Sequence, residues 1–160
     1  MEVIGLPGVV NAISTGGSHS CALMTGGRLE CWGRNNYGQL GNGTTTATIE
    51  PVLVAGLAGG VSAVSAGSRH TCALMQAGGA RCWGFNFYGQ LGDGTSTTRL
   101  APVNVSVLSG ALSSIGVGQS NTCARLLTGG VRCWGANSYG QLGNGSTTAS
   151  SLPVIVTGFP

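Results

Sequence analysis

Lysine is missing from the 160 residues, and the seven arginines stand singly along the chain. Without lysine there is no G-x-x-x-x-G-K-[ST] phosphate loop. A net charge of +3 with no run or stripe of cations argues against a nucleic-acid partner, because phosphate neutralisation needs clustered positive charge. Acidic groups are as scarce. Glu2, Glu30, Glu50 and Asp93 complete the set, and no pair recurs at a spacing suited to general acid–base work. No serine sits in a G-x-S-x-G elbow. The expectation is a protein without catalytic residues, metal ligands or a cofactor. No apolar run approaches the ~20 residues of a membrane-spanning helix. Residues 1–5 carry neither a basic leader nor the apolar stretch of a secretory signal, so the chain reads as cytosolic or as already relieved of its leader.

Glycine is what the sequence has in excess, at 30 residues, while charged side chains make up only 7% against the usual quarter. Hydrophobic content of 42% is ordinary, so the low charge does not signal disorder. It points to many short strands joined by tight turns. The period is 51 residues without drift: Cys21, Cys72 and Cys123 keep that step, as do Cys31, Cys82 and Cys133, and also Pro51, Pro102 and Pro153. Trp32, Trp83 and Trp134 keep it too. Each copy contains C-W-G-x-N-x-Y-G-Q-L-G-[ND]-G-[TS], over residues 31–44, 82–95 and 133–146.

Every copy resolves into four strand candidates, in the second copy at residues 61–66, 70–75, 80–83 and 102–105. Pro102 is placed at a strand start, where its missing N–H does least harm. Four short strands per ~50 residues with no helical period are the mark of propeller blades. The fold class is therefore all-β: three tandem four-stranded repeats of 51 residues, forming a partial ring or a ring closed by oligomerisation. A single propeller-repeat region over 1–160 is expected, with repeats at about 1–51, 52–102 and 103–153 and residues 154–160 as the overlapping start of a fourth. Residues 1–7 occupy the same repeat positions as 154–160. Trp32, Trp83, Trp134, Tyr37, Tyr88 and Tyr139 are assigned to the scaffold, as rings packed between blades with their polar tips hydrogen-bonded.

The six cysteines fall as three pairs. A turn centred on Gly26 sets Cys21 opposite Cys31 in an antiparallel hairpin, at a separation of about 4.5–5.5 Å that a disulfide accepts. The same register recurs at Cys72 with Cys82 and at Cys123 with Cys133. Three disulfides within blades are expected if the compartment is oxidising, each contributing about 2–3 kcal/mol on the chain-entropy model. Reduced core cysteines are the alternative. A zinc site fits less well, because no close C-x-x-C knuckle exists.

The strings G-x-x-H-x-C-A-L at residues 16–23 and 67–74, followed by C-W-G-x-N-x-Y-G-Q-L-G-x-G-T, resemble the regulator of chromosome condensation repeat. The resemblance covers essentially the whole chain. It implies a propeller, usually of seven blades, that regulates or binds other proteins. The paired cysteines and low charge are similar to the bacterial branch, whose architecture is shared by secreted β-lactamase-inhibitor propellers. Three copies fall short of the 4–8 blades of a ring, so blade edges are expected to drive homo-oligomer formation unless the chain is an excerpt. Disulfides would imply a secreted or periplasmic setting; a cytoplasmic one stays open.

Positions that vary among copies are the candidates for binding a protein partner: Arg34, Asn36, Arg69, Phe85, Phe87 and Ser138, with the two phenylalanines as a possible hot spot. Their alternative is packing at a seam between blades or subunits. His19, His70 and Asn121 share one repeat position, which favours a structural hydrogen bond over proton transfer. Asp93-Gly94-Thr95 resembles one corner of a calcium loop, but Asn42 and Asn144 replace the acid elsewhere. Asn42, Asn104 and Asn144 lie in N-x-[ST] triplets. The function expected is a non-catalytic scaffold for protein interaction. The alternatives are a self-assembling propeller unit and an exchange factor or inhibitor acting on a partner enzyme. For the cysteines, the expected outcome is that fresh unreduced protein takes up no alkylating label by mass spectrometry; six labelled thiols would show them reduced.

Overall fold

The computed structural model describes residues 3–159. Among them are twelve strands, which form three four-stranded antiparallel sheets in simple meander order. The first sheet holds β1 (Val10–Thr15), β2 (His19–Met24), β3 (Leu29–Gly33) and β4 (Thr48–Leu53). The second holds β5 (Val61–Ala66), β6 (His70–Met75), β7 (Ala80–Gly84) and β8 (Arg99–Asn104). The third holds β9 (Leu112–Val117), β10 (Asn121–Leu126), β11 (Val131–Gly135) and β12 (Ser150–Ile155). The expected overlap of residues 1–7 with 154–160 lies partly outside the described residues.

Directly opposed residues share a sheet face, so register decides which side chains meet the next blade. In the first blade Ser14, Cys21, Cys31 and Val52 are opposed in turn, while Ile13, Ala22, Glu30 and Leu53 occupy the other face. The cysteine face looks toward the second blade. There Cys21, Leu23, Leu29, Cys31 and Leu40 pack in one buried cluster with Val61, Ala73 and Trp83. The equivalent cluster between the second and third blades joins Cys72, Leu74, Cys82 and Leu91 to Leu112, Ala124 and Trp134. Both faces of the middle blade are thus core, which is why its strands carry apolar residues on both sides.

The cysteines are oxidised. Cys21–Cys31, Cys72–Cys82 and Cys123–Cys133 are three disulfides between adjacent strands, each pair with Cα atoms about 4 Å apart (4.0, 4.1 and 4.1 Å). The fourth strand differs from expectation. β8 begins at Arg99, so Pro102 stands inside the strand and not at its start. It is tolerated because β8 is the outer edge of its sheet and its register shifts between Cys82 and Gly84, so no ladder partner needs the missing N–H.

Between the third and fourth strands runs the glycine-rich loop, and one residue organises it. Buried Asn35 donates from Nδ2 to the carbonyls of Thr44 (3.0 Å) and Thr46 (3.1 Å), and its Oδ1 accepts from the Leu40 amide (3.0 Å). Asn86 and Asn137 repeat this. A side chain that ties three backbone groups replaces the ladder that a glycine-dense segment cannot form.

The loop exists to receive the next blade. Gly41 has φ of +70°, and a Cβ there would lie 2.6 Å from Trp83 Nε1. Gly43 shares the left-handed conformation (φ +83°) but faces open space. Both substitutions to alanine incur the left-handed penalty of about 1–2 kcal/mol. Gly41→Ala must also displace the indole, adding about 1–3 kcal/mol. Chemical denaturation should therefore rank Gly41→Ala well below Gly43→Ala; equal values would show that the seam adapts without strain.

Candidate functional site

The loops at one end of the blades bring the variable positions together. The amide of Arg34 donates to the carbonyl of Ser18 (2.8 Å), Phe85 to Arg69 (3.0 Å), and Ala136 to Ser120 (2.8 Å). One backbone bond per blade thus pins the residue after W-G against the loop that precedes the second strand. At the first seam this builds an aromatic–arginine shelf. The Arg69 guanidinium lies 5.3 Å from the Tyr37 ring centroid and 5.9 Å from that of Phe85, within cation–π range. Tyr37 meets Phe85 edge-on at 5.0 Å, Phe87 meets Tyr88 at 5.1 Å, and Phe85 stacks with Phe87 at 6.4 Å.

Phe87 is 69% exposed and Tyr88 43%, so the shelf presents ring surface to solvent. A depression of about 150 Å³ beside it is lined by Arg34, Tyr37 and Arg69 together with Ser18 and Gln39. A second is lined by Arg69, Phe85, Tyr88 and Ser120. Of the six candidates, Arg34, Arg69, Phe85 and Phe87 are brought together. Asn36 is exposed outside this group, and Ser138 lines a different depression with Tyr139 and Tyr88.

The tyrosines correct the expectation of a buried plug. Tyr37 is half-buried, but Tyr139 is 94% exposed. Tyr37 leans on Phe85 of the following blade, and no blade follows the third among the described residues. Sequence reasoning missed Tyr37 and Tyr88 as shelf residues, although Tyr88 directly follows the flagged Phe87 and Tyr37 the flagged Asn36. Among the tryptophans, Trp83 and Trp134 are fully buried and Trp32 is half-buried.

Beneath the shelf the seams carry a repeated hydrogen-bond set. Trp83 Nε1 donates to the Gln39 carbonyl (2.9 Å), which also accepts from Thr71 Oγ1 (2.9 Å). His19 Nε2 lies 2.7 Å from that same Thr71 oxygen. The threonine's only hydrogen goes to the carbonyl, so the histidine must donate and its proton resides on Nε2. At the second seam Thr122 Oγ1 bonds the Gln90 carbonyl (2.9 Å) and His70 Nε2 (2.9 Å), while Trp134 Nε1 is buried with no partner among the described residues.

Burial holds both imidazoles neutral, lowering the pKa of His19 to about 4 and that of His70 to about 3, the latter also through His19. The calcium reading of Asp93 meets an occupied carboxylate. Its Oδ1 accepts from the Thr95 amide (3.0 Å) and hydroxyl (2.8 Å), and Oδ2 pairs with Arg99 (2.9 Å). Burial works to raise the Asp93 pKa, but the bonds from Thr95 and Arg99 outweigh it and leave it lowered. Among the described residues no three histidine, cysteine or acidic side chains converge on a point.

Meandering four-stranded blades, stacked face to face through buried tryptophans, define a β-propeller repeat protein. The sequence matches the Regulator of chromosome condensation (RCC1) repeat over residues 27–74, 78–125 and 128–160. The chain belongs to that repeat family. It is 34% identical over 146 residues to the ultraviolet-B receptor UVR8 of Arabidopsis thaliana, covering 90% of this chain and 33% of the receptor. It is 37% identical over 153 residues to the E3 ubiquitin-protein ligase HERC2 of Homo sapiens, covering 93% of this chain but 3% of the ligase. Human WBSCR16 superposes with a TM-score of 0.83 at 26% identity, covering 94% of this chain and 38% of that one. Yeast RCC1 (Prp20), solved bound to Kap60, superposes at 0.80 and 21% identity, covering 92% and 37%. The chain thus spans less than two fifths of each of these relatives.

The buried histidines give the site a pH dependence. Unfolded histidine takes up a proton near pH 6.5, whereas the folded imidazoles resist until about 4 and about 3. The unfolded chain then binds more protons, so stability is full above pH 6.5 and falls as the pH drops. His19 alone should account for roughly 3 kcal/mol by pH 4. Denaturation midpoints measured from pH 7 to 4 should show this slope. His19→Asn, the residue natural at position 121, should remove about half of the slope and leave the share of His70; an unchanged slope would place the titration elsewhere.

Proposed function

We propose that the chain is a non-catalytic propeller scaffold that binds a protein partner through the shelf of Arg34, Tyr37, Arg69, Phe85, Phe87 and Tyr88. The observation that carries this is the exposed aromatic cluster capped by Arg69. Exposed aromatic surface in a chain with this little charge is the composition of an interface centre, and arginine and aromatic residues dominate such centres energetically. Asn36 and Ser138 extend the same end of the blades as rim residues. The structurally similar Prp20p of Saccharomyces cerevisiae binds Gsp1p and histones, which supports a partner-binding or regulatory role. Three disulfides favour an oxidising, extracellular or periplasmic setting.

A second reading, self-association through the end faces, is favoured by one observation. Ile13 is 72% exposed and Ile49 95% exposed on the outer side of the first blade, at the repeat positions where the second blade carries Val64 and Leu100.

Phe87 contributes little to the fold at its exposure, so Phe87→Ala should change stability by less than about 0.5 kcal/mol. Together with Arg69→Ala it should weaken capture of a partner from the native compartment tenfold or more. Undiminished capture by the double variant would remove the shelf from the function.

A further inference from the structure

Two arginines meet at the first seam from different repeat positions. Arg69 stands where the other copies have Ser18 and Ser120, and Arg34 where they have Phe85 and Ala136. Each is a departure from the repeat on its own blade, and the two line one depression of about 150 Å³. Ion pairs among the described residues join Arg28 to Glu30 and Arg99 to Asp93. Neither shelf arginine takes part, and no acidic side chain lines the depression. Two like charges in one recess repel, and nothing in its lining balances them.

The neighbouring groups are donors as well. Gln39 is only 1% exposed. Its Oε1 accepts from the Tyr37 amide (2.9 Å), which leaves Nε2 as a donor without an acceptor among the described residues. The carbonyls of Ser18 and Arg69 are engaged by the amides of Arg34 (2.8 Å) and Phe85 (3.0 Å). The Ser18 and Ser68 hydroxyls complete the set. A buried amide donor left open costs about as much as a lost hydrogen bond. What the recess lacks is an acceptor that carries negative charge.

Arg69 is prepared for one. The rings of Tyr37 and Phe85, at 5.3 and 5.9 Å from its guanidinium, steady the group without using its N–H fork. A guanidinium held against rings keeps that fork for a planar anion, and less ordering remains to be done on binding.

We infer that this recess seats the carboxylate of an aspartate or glutamate of the protein partner, while an apolar side chain beside that residue lies on Phe87 and Tyr88. This rests on the shelf being the binding surface proposed above. The recess admits the end of one side chain; a helix about 10–12 Å across does not enter it. With the Arg34 and Phe85 amides engaged, these loops offer no backbone nest for the three oxygens of a phosphate. Two guanidinium groups, the Gln39 amide and the serine hydroxyls suffice for the two oxygens of a carboxylate.

Random peptides displayed on phage and selected on the 160-residue chain should carry aspartate or glutamate beside an aromatic or aliphatic residue. A selected peptide remade with glutamine for its glutamate should bind about tenfold more weakly or worse, and the gap should narrow as salt rises. Arg34→Glu combined with Arg69→Glu alters two exposed side chains. Circular dichroism should report it folded, and selection on it should turn to lysine and arginine, a new preference that misfolding does not produce. An acidic preference that survives the double variant overturns the seat. Peptides that need Phe87 yet show no acidic preference, or that bind more tightly with phosphoserine than with glutamate, overturn the carboxylate and leave the shelf standing. Failure to select any peptide whose binding falls with Phe87→Ala overturns both the seat and the shelf.

Discussion

The fold depends on a backbone carbonyl that cannot be satisfied within its own blade. Gln39 lies in a loop too rich in glycine to be part of a ladder, and its carbonyl is buried against the neighbouring sheet. An unpaired buried carbonyl costs about as much as a lost hydrogen bond. The next blade removes that cost with two donors, an indole and a hydroxyl. The tryptophan must therefore lie flat against the loop, which in turn forbids a side chain at Gly41. Asn35 is needed to hold the loop in that shape. Tryptophan, asparagine, glutamine and glycine in the repeated motif are thus one arrangement seen from four positions.

This explains which parts of the molecule the sequence displays openly. The cysteine register could be read because hairpin geometry is local: a short turn at Gly26 is enough to oppose Cys21 and Cys31. Strands β5, β6 and β7 could be read for the same reason. The start of β8 could not, because proline suggests a boundary, and only the sheet shows that an outer edge admits Pro102 within a strand. Local patterns reveal what local forces decide.

The shelf was legible in part. Variation among copies flagged Phe85, Phe87, Arg34 and Arg69, since a repeated scaffold leaves free only the positions it does not use. What it could not show is the backbone bond from Phe85 to Arg69 that sets the guanidinium beside two rings. Tyr37 and Tyr88 were hidden by their own regularity. Their repetition suggests core, yet the same residue is half-buried at one seam and open at the end of the chain. Burial here depends on what the next blade sets beside the ring, Phe85 beside Tyr37 but Ala136 at the matching position beyond the exposed Tyr88, which no single repeat encodes.

Each disulfide joins partners only ten residues apart and never crosses a seam. The covalent bonds therefore lie along the chain in three separate small loops, and none holds one blade to another. Under oxidising conditions each pair can close as soon as its hairpin has formed, and no later cysteine is required. Wrong pairings between blades are disfavoured because the nearest partner is always the correct one. A repeat of this kind can be copied or deleted as a unit of 51 residues without leaving an odd thiol behind, so the length of the array is free to change while its oxidation chemistry stays balanced.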